Sequence, residues 1–417
     1  MTDTRMAGNG VFAVFRSRSF TLLWIGQLIS GMGSALTTLA ASILVFRITG
    51  SALSVGLMLI ATAGPTIVVG LVAGVFVDRY DRQRILMTAD LLRAMLMSLI
   101  PFLISHNIIW LYILVGLSSA INQFFDSAHA SILPEVASEE ELSAANSMIS
   151  ISSVGSTTVG FAAAGFIAAG PDINLAFFLD ALSFVISASL IFFTHLPKMP
   201  RVDHTSLRAV RRNLQAGLRT VGSVPALRSL FIMVTPIFLI FGLQNALFLP
   251  FALKVLGATE VQFGFQQAAE AIGIAVGSLM MARLADRIRE GQWLVLSYLL
   301  MALAGVGYSV SATIALAIFL VGVSGFVNAP SYIGRQLVIQ RATPREMRGR
   351  VNSAFFVVRD VMFVVGMGLA GLADFMNVRI LFLASSVAML GAGAVGLALP
   401  GLAQPGAEWR RLLDRLR

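Results

Sequence analysis

Gly74-Val75-Phe76-Val77-Asp78-Arg79-Tyr80-Asp81-Arg82-Gln83-Arg84 is the stretch on which the reading of this chain turns. An apolar run ends at Val77 and another begins beyond Arg84, so seven mostly charged or polar residues separate two long apolar segments. Gly74 and Asp78 are four apart and share a helix face, the glycine allowing close approach and the aspartate sitting at the exposed end. An aspartate placed there can meet the positive N-terminus of a neighbouring helix, while Arg79, Arg82 and Arg84 pin a short turn at lipid headgroups. A degenerate second copy, Arg283-Leu284-Ala285-Asp286-Arg287-Ile288-Arg289, lies in the other half of the chain.

Apolar segments like the two flanking this loop recur along nearly the whole sequence. Of 417 residues, 57% are hydrophobic and only 12% charged, with a mean hydropathy of +0.84. Soluble domains carry about twice that share of charge, so lipid is the main solvent. A bilayer core needs ~20 apolar residues per helix. The spans read as 20–46, 52–77, 84–104, 108–133, 144–169, 173–195, 229–253, 261–285, 293–310, 313–338, 351–374 and 378–399. The expected fold is therefore an all-α membrane protein of twelve transmembrane helices. Of the Lys and Arg, Arg47, Lys254 and Arg379 fall in outer loops, Arg93, Arg335 and Arg359 within spans, and the rest in inner segments. That positive-inside bias places both termini in the cytoplasm of a bacterial inner membrane. The +9 net charge then serves anionic lipid and not nucleic acid. The first fifteen residues lack the pattern of a cleavable signal, so the first span is expected to carry targeting.

The spans divide into a 1–196 half, a 197–228 linker, a 229–400 half and a basic 401–417 tail. In the linker Leu207, Val210, Leu214 and Leu218 oppose Arg208, Arg211, Arg212 and Arg219, as in an amphipathic helix lying on the inner leaflet. In the tail Trp409, Leu412, Leu413 and Leu416 oppose Arg410, Arg411, Arg415 and Arg417. The halves repeat: one constant offset pairs Leu114-Val115-Gly116 with Leu320-Val321-Gly322, Asn122 with Asn328, and Glu140 with Glu346. It also pairs Asn146-Ser147 with Asn352-Ser353, Gly160 with Gly366, and Gly165 with Gly371, and Asp78-Arg79 recurs two residues out of step as Asp286-Arg287.

The Gly74 to Arg84 loop resembles the signature motif of the major facilitator superfamily. Gly74, Asp78, Arg79, Arg82 and Arg84 match residue by residue, and Asp81 replaces the usual second glycine. Four further segments resemble the branch of enterobactin exporters and macrolide-efflux proteins: Phe20–Trp24 to Ser30, Leu133-Pro134-Glu135 to Asn146, Gly217-Leu218-Arg219 to Arg228, and Arg348-Gly349-Arg350-Val351. The resemblance covers essentially the whole chain. It implies two pseudo-symmetric six-helix halves and secondary active transport by alternating access. It also implies export, since no residue fixes direction, with a drug-, macrolide- or siderophore-type compound as substrate and proton inflow as energy source. Where some relatives carry an acidic residue after Gly31 to Gly33, this chain has Ser34. The family's glycine-rich exporter motif in the fifth span is matched by Gly155, Gly160 and Gly165 without its proline; the stripe Ser152, Ser156, Gly160, Ala164, Ala168 suits close helix packing.

Ionisable residues inside spans cost ~2.5–3.5 kcal/mol and are functional candidates. Asp90 and Arg93 are three apart and can pair. Asn122, Asp126 and His129 form one stripe, and Ser324, Asn328, Ser331 and Arg335 form its repeat counterpart. Arg359 and Asp360 are expected to point about 100° apart and not to line one surface together. With shared depth and opposite charges, Asp126, Arg335 and the adjoining residues are expected to form an inner gate. Glu270 has no basic neighbour in sequence and sits ~16 Å along its span, near the midplane, suiting it to carry a proton. Asp180 lies nearer the outer side. Trp24, Gln27, Asn122, Phe124, Gln244, Asn245, Gln266, Gln267 and Asn328 are expected cavity lining.

His106, His129, His195 and His204 are scattered, Cys is absent, and no phosphate-binding Gly-Lys-Ser/Thr loop exists. No cofactor or metal is therefore expected, only a small-molecule substrate and membrane lipids, with the chain a monomer. A lipid or lysophospholipid flippase or an importer of the same fold is the alternative. A membrane-embedded enzyme lacks converging nucleophile and base, and a sensor lacks room for a signalling domain.

Overall fold

The computed structural model describes residues 11–77, 80–136, 141–194, 207–284 and 289–402. Asp78, Arg79, Asp286, Arg287, His195, His204 and the 403–417 tail lie outside them. The described chain is helical: α1 (Arg18–Thr49), α2 (Ala52–Val77), α3 (Arg82–Leu103), α4 (Ile109–Val136), α5 (Leu142–Ala169) and α6 (Leu175–Phe192) come first. Then follow α7 (Leu207–Ser223), α8 (Pro225–Pro250), α9 (Glu260–Leu284), α10 (Glu290–Val310), α11 (Ile314–Ala342), α12 (Arg348–Leu369) and α13 (Val378–Ala398).

Among the described residues, 11 helices are long and apolar enough to cross a membrane. α9 is comparable in length, but Gln262, Gln266, Gln267 and Glu270 dilute its apolar content. With it the long helices make up the twelve of the expected fold. α7 is the short amphipathic segment read from the linker. α8 ends at Pro250 and continues as one wide turn, Phe251–Val255, because a proline withholds the donor that regular winding needs.

Contacts gather the chain into two units, Met1–Ala40 with Val68–Thr205, and Ala41–Ile67 with Ser206–Arg417. The end of α1 and the start of α2 thus belong with the second unit. Each unit has its own buried clusters: Leu23, Leu86, Phe125 and Ile191 in the first, and Leu230, Val234, Tyr298 and Phe355 in the second. Leu91, Met95 and Phe102 on α3 and Leu182 on α6 are exposed, as a lipid-facing surface requires.

The repeat seen in the sequence reappears as one crossing made twice. At Gly160 an added methyl would strike the carbonyl of Met32 and Ala35, so α5 lies directly on α1. Ser152, Ser156, Ala164 and Ala168 of the same stripe are buried. At the paired Gly366 an added methyl would strike the carbonyl of Leu239, so α12 lies on α8. Apolar lipid offers no hydrophobic drive between helices, which leaves close backbone contact to hold them.

Polar ties hold the α1–α2 turn inside the second unit. Arg47 pairs with Glu260 at 2.6 Å, and Lys254 donates to the carbonyl of Gly50. Asp374 accepts from Ser51 Oγ at 2.6 Å, Ala52 N at 2.7 Å and Leu53 N at 3.3 Å. A carboxylate on free N–H groups at a helix start is a capping arrangement, here supplied from a distant part of the chain. Asp374→Ala is expected to cost ~0.5–2 kcal/mol, read as a lower unfolding midpoint in detergent; an unchanged midpoint would mean the cap carries nothing.

Candidate functional site

In the first unit the groups gather around Arg93. Its guanidinium lies 3.7 Å from Asp90, donates to Ser34 Oγ at 3.1 Å and sits 3.9 Å over the Phe184 ring. Asp90 is 0% exposed and Asp180 1%. Asp180 lies against Gly33, where a methyl would strike both its carboxylate and Ser183 Oγ. Arg93 thus pairs with one buried carboxyl group, while a second, Asp180, lies on the Gly33–Ser34 stretch of α1 that also receives the guanidinium. The pairing of Asp90 with Arg93 was legible from their spacing, whereas Asp180 joins through tertiary packing of α6 on α1 and α3. Removing the cation would leave the buried Asp90 uncompensated, a loss of ~3–5 kcal/mol. Arg93→Met should accordingly lower the unfolding midpoint far more than Arg93→Lys, and equal midpoints would refute the pairing with Asp90.

On α4, Asn122 donates to Asp126 at 2.8 Å, and His129 stacks on Phe125 with ring centroids 6.1 Å apart. Trp24 donates to the carbonyl of Met148 at 3.1 Å and stands edge-on to Phe15, fastening α1 to α5. Gln27 keeps a buried Oε1 without a hydrogen-bond partner among the described residues. Phe124 meets Phe76 edge-on and lines, with Arg84 and Asp81, a hollow of about 540 Å³. Asp81 caps α3, its side chain accepting from Arg84 N at 3.0 Å. Gln83 closes the end of α6 by donating to the carbonyls of Ile191 and Thr194, both at 3.0 Å. At Gly74, expected to mark a close helix approach, a methyl would meet nothing within 4 Å among the described residues.

The second unit holds a cavity of about 410 Å³ lined by Ala63, Thr66, Phe238, Phe241, Asn328, Tyr332, Arg335, Arg359, Asp360, Phe363 and Val364. That volume falls in the range of small-molecule sites, and the mix of aromatic walls with a few polar groups is typical of them. Arg335 is 7% exposed, with its guanidinium 4.9 Å from the Phe355 centroid, 5.1 Å from Tyr332 and 5.5 Å from Phe238. Asn328 accepts from Ser331 Oγ at 3.1 Å. The expected divergence of Arg359 and Asp360 is also corrected. Arg359 Nε donates to Asp360 at 2.6 Å and both line the cavity. The long arginine side chain bends round the helix, which the angle between successive α-carbons ignores.

Other expected lining residues are held differently. Gln244 donates to Ser385 and Ser386, each at 3.0 Å, tying α8 to α13. Gln266 is 0% exposed and accepts from Tyr308 at 3.3 Å. Asn245, Gln267 and Glu270 are half-buried. No ion pair or hydrogen bond to the Glu270 side chain occurs among the described residues; Gly325 packs against its backbone. Asp126 belongs to the first unit and Arg335 to the second, each with the neighbours given above.

The family model described as Major Facilitator Superfamily matches residues 23–367 and 230–412. The multidrug efflux pump Tap of Mycolicibacterium fortuitum is 28% identical over 91% of this chain and 95% of its own length. Macrolide efflux protein A of Streptococcus pyogenes is 24% identical over 89% of this chain and 93% of its own. Among solved structures, the nucleoside transporter NupG superposes with a TM-score of 0.71 at 13% identity, covering 90% of this chain and 99% of that one. The D-xylose-proton symporter gives 0.67 at 14% identity over 93% and 98%. These structural likenesses carry the fold.

Proposed function

Because the chain belongs to the Major Facilitator Superfamily, and so is a multi-pass membrane transporter and not an enzyme, we propose that it exports a small amphipathic compound in exchange for protons. The observation that carries this reading is the aromatic cavity of about 410 Å³, of a size for a drug-like molecule. The names of its efflux-pump relatives support the direction. The distribution of Lys and Arg supports cytoplasmic termini.

An ion gradient drives a carrier only by stabilising one access state over the other. Glu270 is suited to that task. A carboxylate with no cation beside it is costly in a dry helix bundle and tolerable where water reaches it. Protonation therefore shifts the balance between a state that seals the group and a state that wets it. The buried Asp90 and Asp180, the first paired with Arg93, are further groups able to change charge. Proton coupling by any of these needs no cofactor.

The test compares accumulation of neutral, cationic and anionic amphipathic compounds in cells with and without the gene, with and without a proton uncoupler. The expected result is lower accumulation of at least one compound in cells carrying the gene, abolished by the uncoupler. Equal accumulation of every compound would sink the export reading; export indifferent to the uncoupler would sink proton coupling alone.

A further inference from the structure

Arg335 brings a guanidinium to the cavity wall, where the one carboxylate is already paired with another arginine. It is 7% exposed, and among the described residues it makes neither an ion pair nor a hydrogen bond. The cavity's one acid, Asp360, is taken by Arg359 at 2.6 Å, so those two charges cancel and Arg335 remains. Phe355, Tyr332 and Phe238 surround its guanidinium at 4.9, 5.1 and 5.5 Å. Ring faces attract a cation but accept few of the five N–H donors an arginine presents. A buried arginine left with unused donors at the edge of a ligand-sized space is a receptor for an acceptor pair brought from outside. Carboxylate and phosphate fit that fork best.

We propose that the cavity selects amphipathic anions: a carboxylate, phosphate or sulfonate engages Arg335 while an aromatic or aliphatic body lies against Phe238, Phe241, Tyr332 and Phe363. This rests on the export reading for the site's purpose, and names its substrate class. Neutral compounds would leave the guanidinium donors unmatched, and cationic ones would meet like charge. The same chemistry could come from a soluble organic acid or from an anionic lipid headgroup.

The experiment uses the full chain in phosphatidylcholine nanodiscs and two probes of nearly equal shape, naphthoate and its neutral amide, naphthamide. Wild-type protein is expected to bind naphthoate at least ~10-fold more tightly than naphthamide, the worth of one charge-assisted pair. Arg335→Met is expected to bring that ratio close to one, and Arg335→Lys to retain part of it, which also covers the case where the Met variant does not fold. Equal affinities in the wild type, or an undiminished ratio in Arg335→Lys and Arg335→Met alike, would overturn the proposal. Replacing phosphatidylcholine with phosphatidylglycerol separates the sources. Unchanged naphthoate affinity assigns the site to soluble acids; a loss that excess naphthoate overcomes assigns the same anion site to a headgroup. Wild-type protein that prefers naphthoate yet exports no compound of the panel would sink the export reading and leave the anion site standing. Export of dyes with no preference between the probes would do the reverse.

Discussion

Glu270→Gln is expected to abolish uphill, proton-driven export while leaving downhill exchange of substrate across the membrane. Glutamine keeps the volume and polarity of the side chain but holds no exchangeable charge, so the two access states lose their dependence on the gradient. The Glu270 side chain has no ion pair among the described residues, and its replacement therefore strands no buried cation. The loss should exceed ~10-fold in uncoupler-sensitive accumulation by inverted vesicles, with counterflow near the wild-type rate. Accumulation at the wild-type level would remove Glu270 as the carrier and turn attention to Asp90 and Asp180.

The second large effect concerns folding. At Gly366 the backbone of α12 touches Leu239 and Leu243 of α8, and at Gly242 the backbone of α8 touches Phe363 of α12. A side chain at either point must force two helices apart, and the lost contacts are the ones that bind helices in lipid. Gly366→Leu should cost more than ~3 kcal/mol and remove the monodisperse peak in size-exclusion chromatography. Gly155→Ala should elute like wild type, since a methyl there meets nothing within 4 Å. If both variants behaved alike, crossing contacts would not be what limits folding of this bundle.

The helices were legible because lipid demands long apolar runs, and the charged inner loops and short polar outer turns between them mark the boundaries within a few residues. The repeat was legible at Gly160 and Gly366 because small residues at a crossing admit little substitution without cost. Asp90 with Arg93 followed from helical spacing alone. What stayed hidden depends on reach and on distant partners. The Arg359–Asp360 pair contradicts an argument made from helix angles, because four rotatable bonds carry a guanidinium to a neighbour that its α-carbon faces away from. Around Arg335, only Tyr332 stands one turn away in the sequence. Phe238 and Phe355 come from other helices, so the aromatic enclosure could not be read in advance. Gly74 is the opposite case: the spacing suggested a close approach, yet among the described residues nothing lies within 4 Å of a methyl placed there.

The trans cap at Asp374 bears on how the protein is made. Residues 51–53 are synthesised long before residue 374, so a nascent chain already threaded into the bilayer has water, or nothing, on the first amides of α2. That helix start acquires its carboxylate only when the last-but-one membrane helix has been delivered. A chain stalled before that point, or lacking the segment around Asp374, would hold α2 with a frayed beginning, and completion of the tail end of the protein would finish a helix begun near its head.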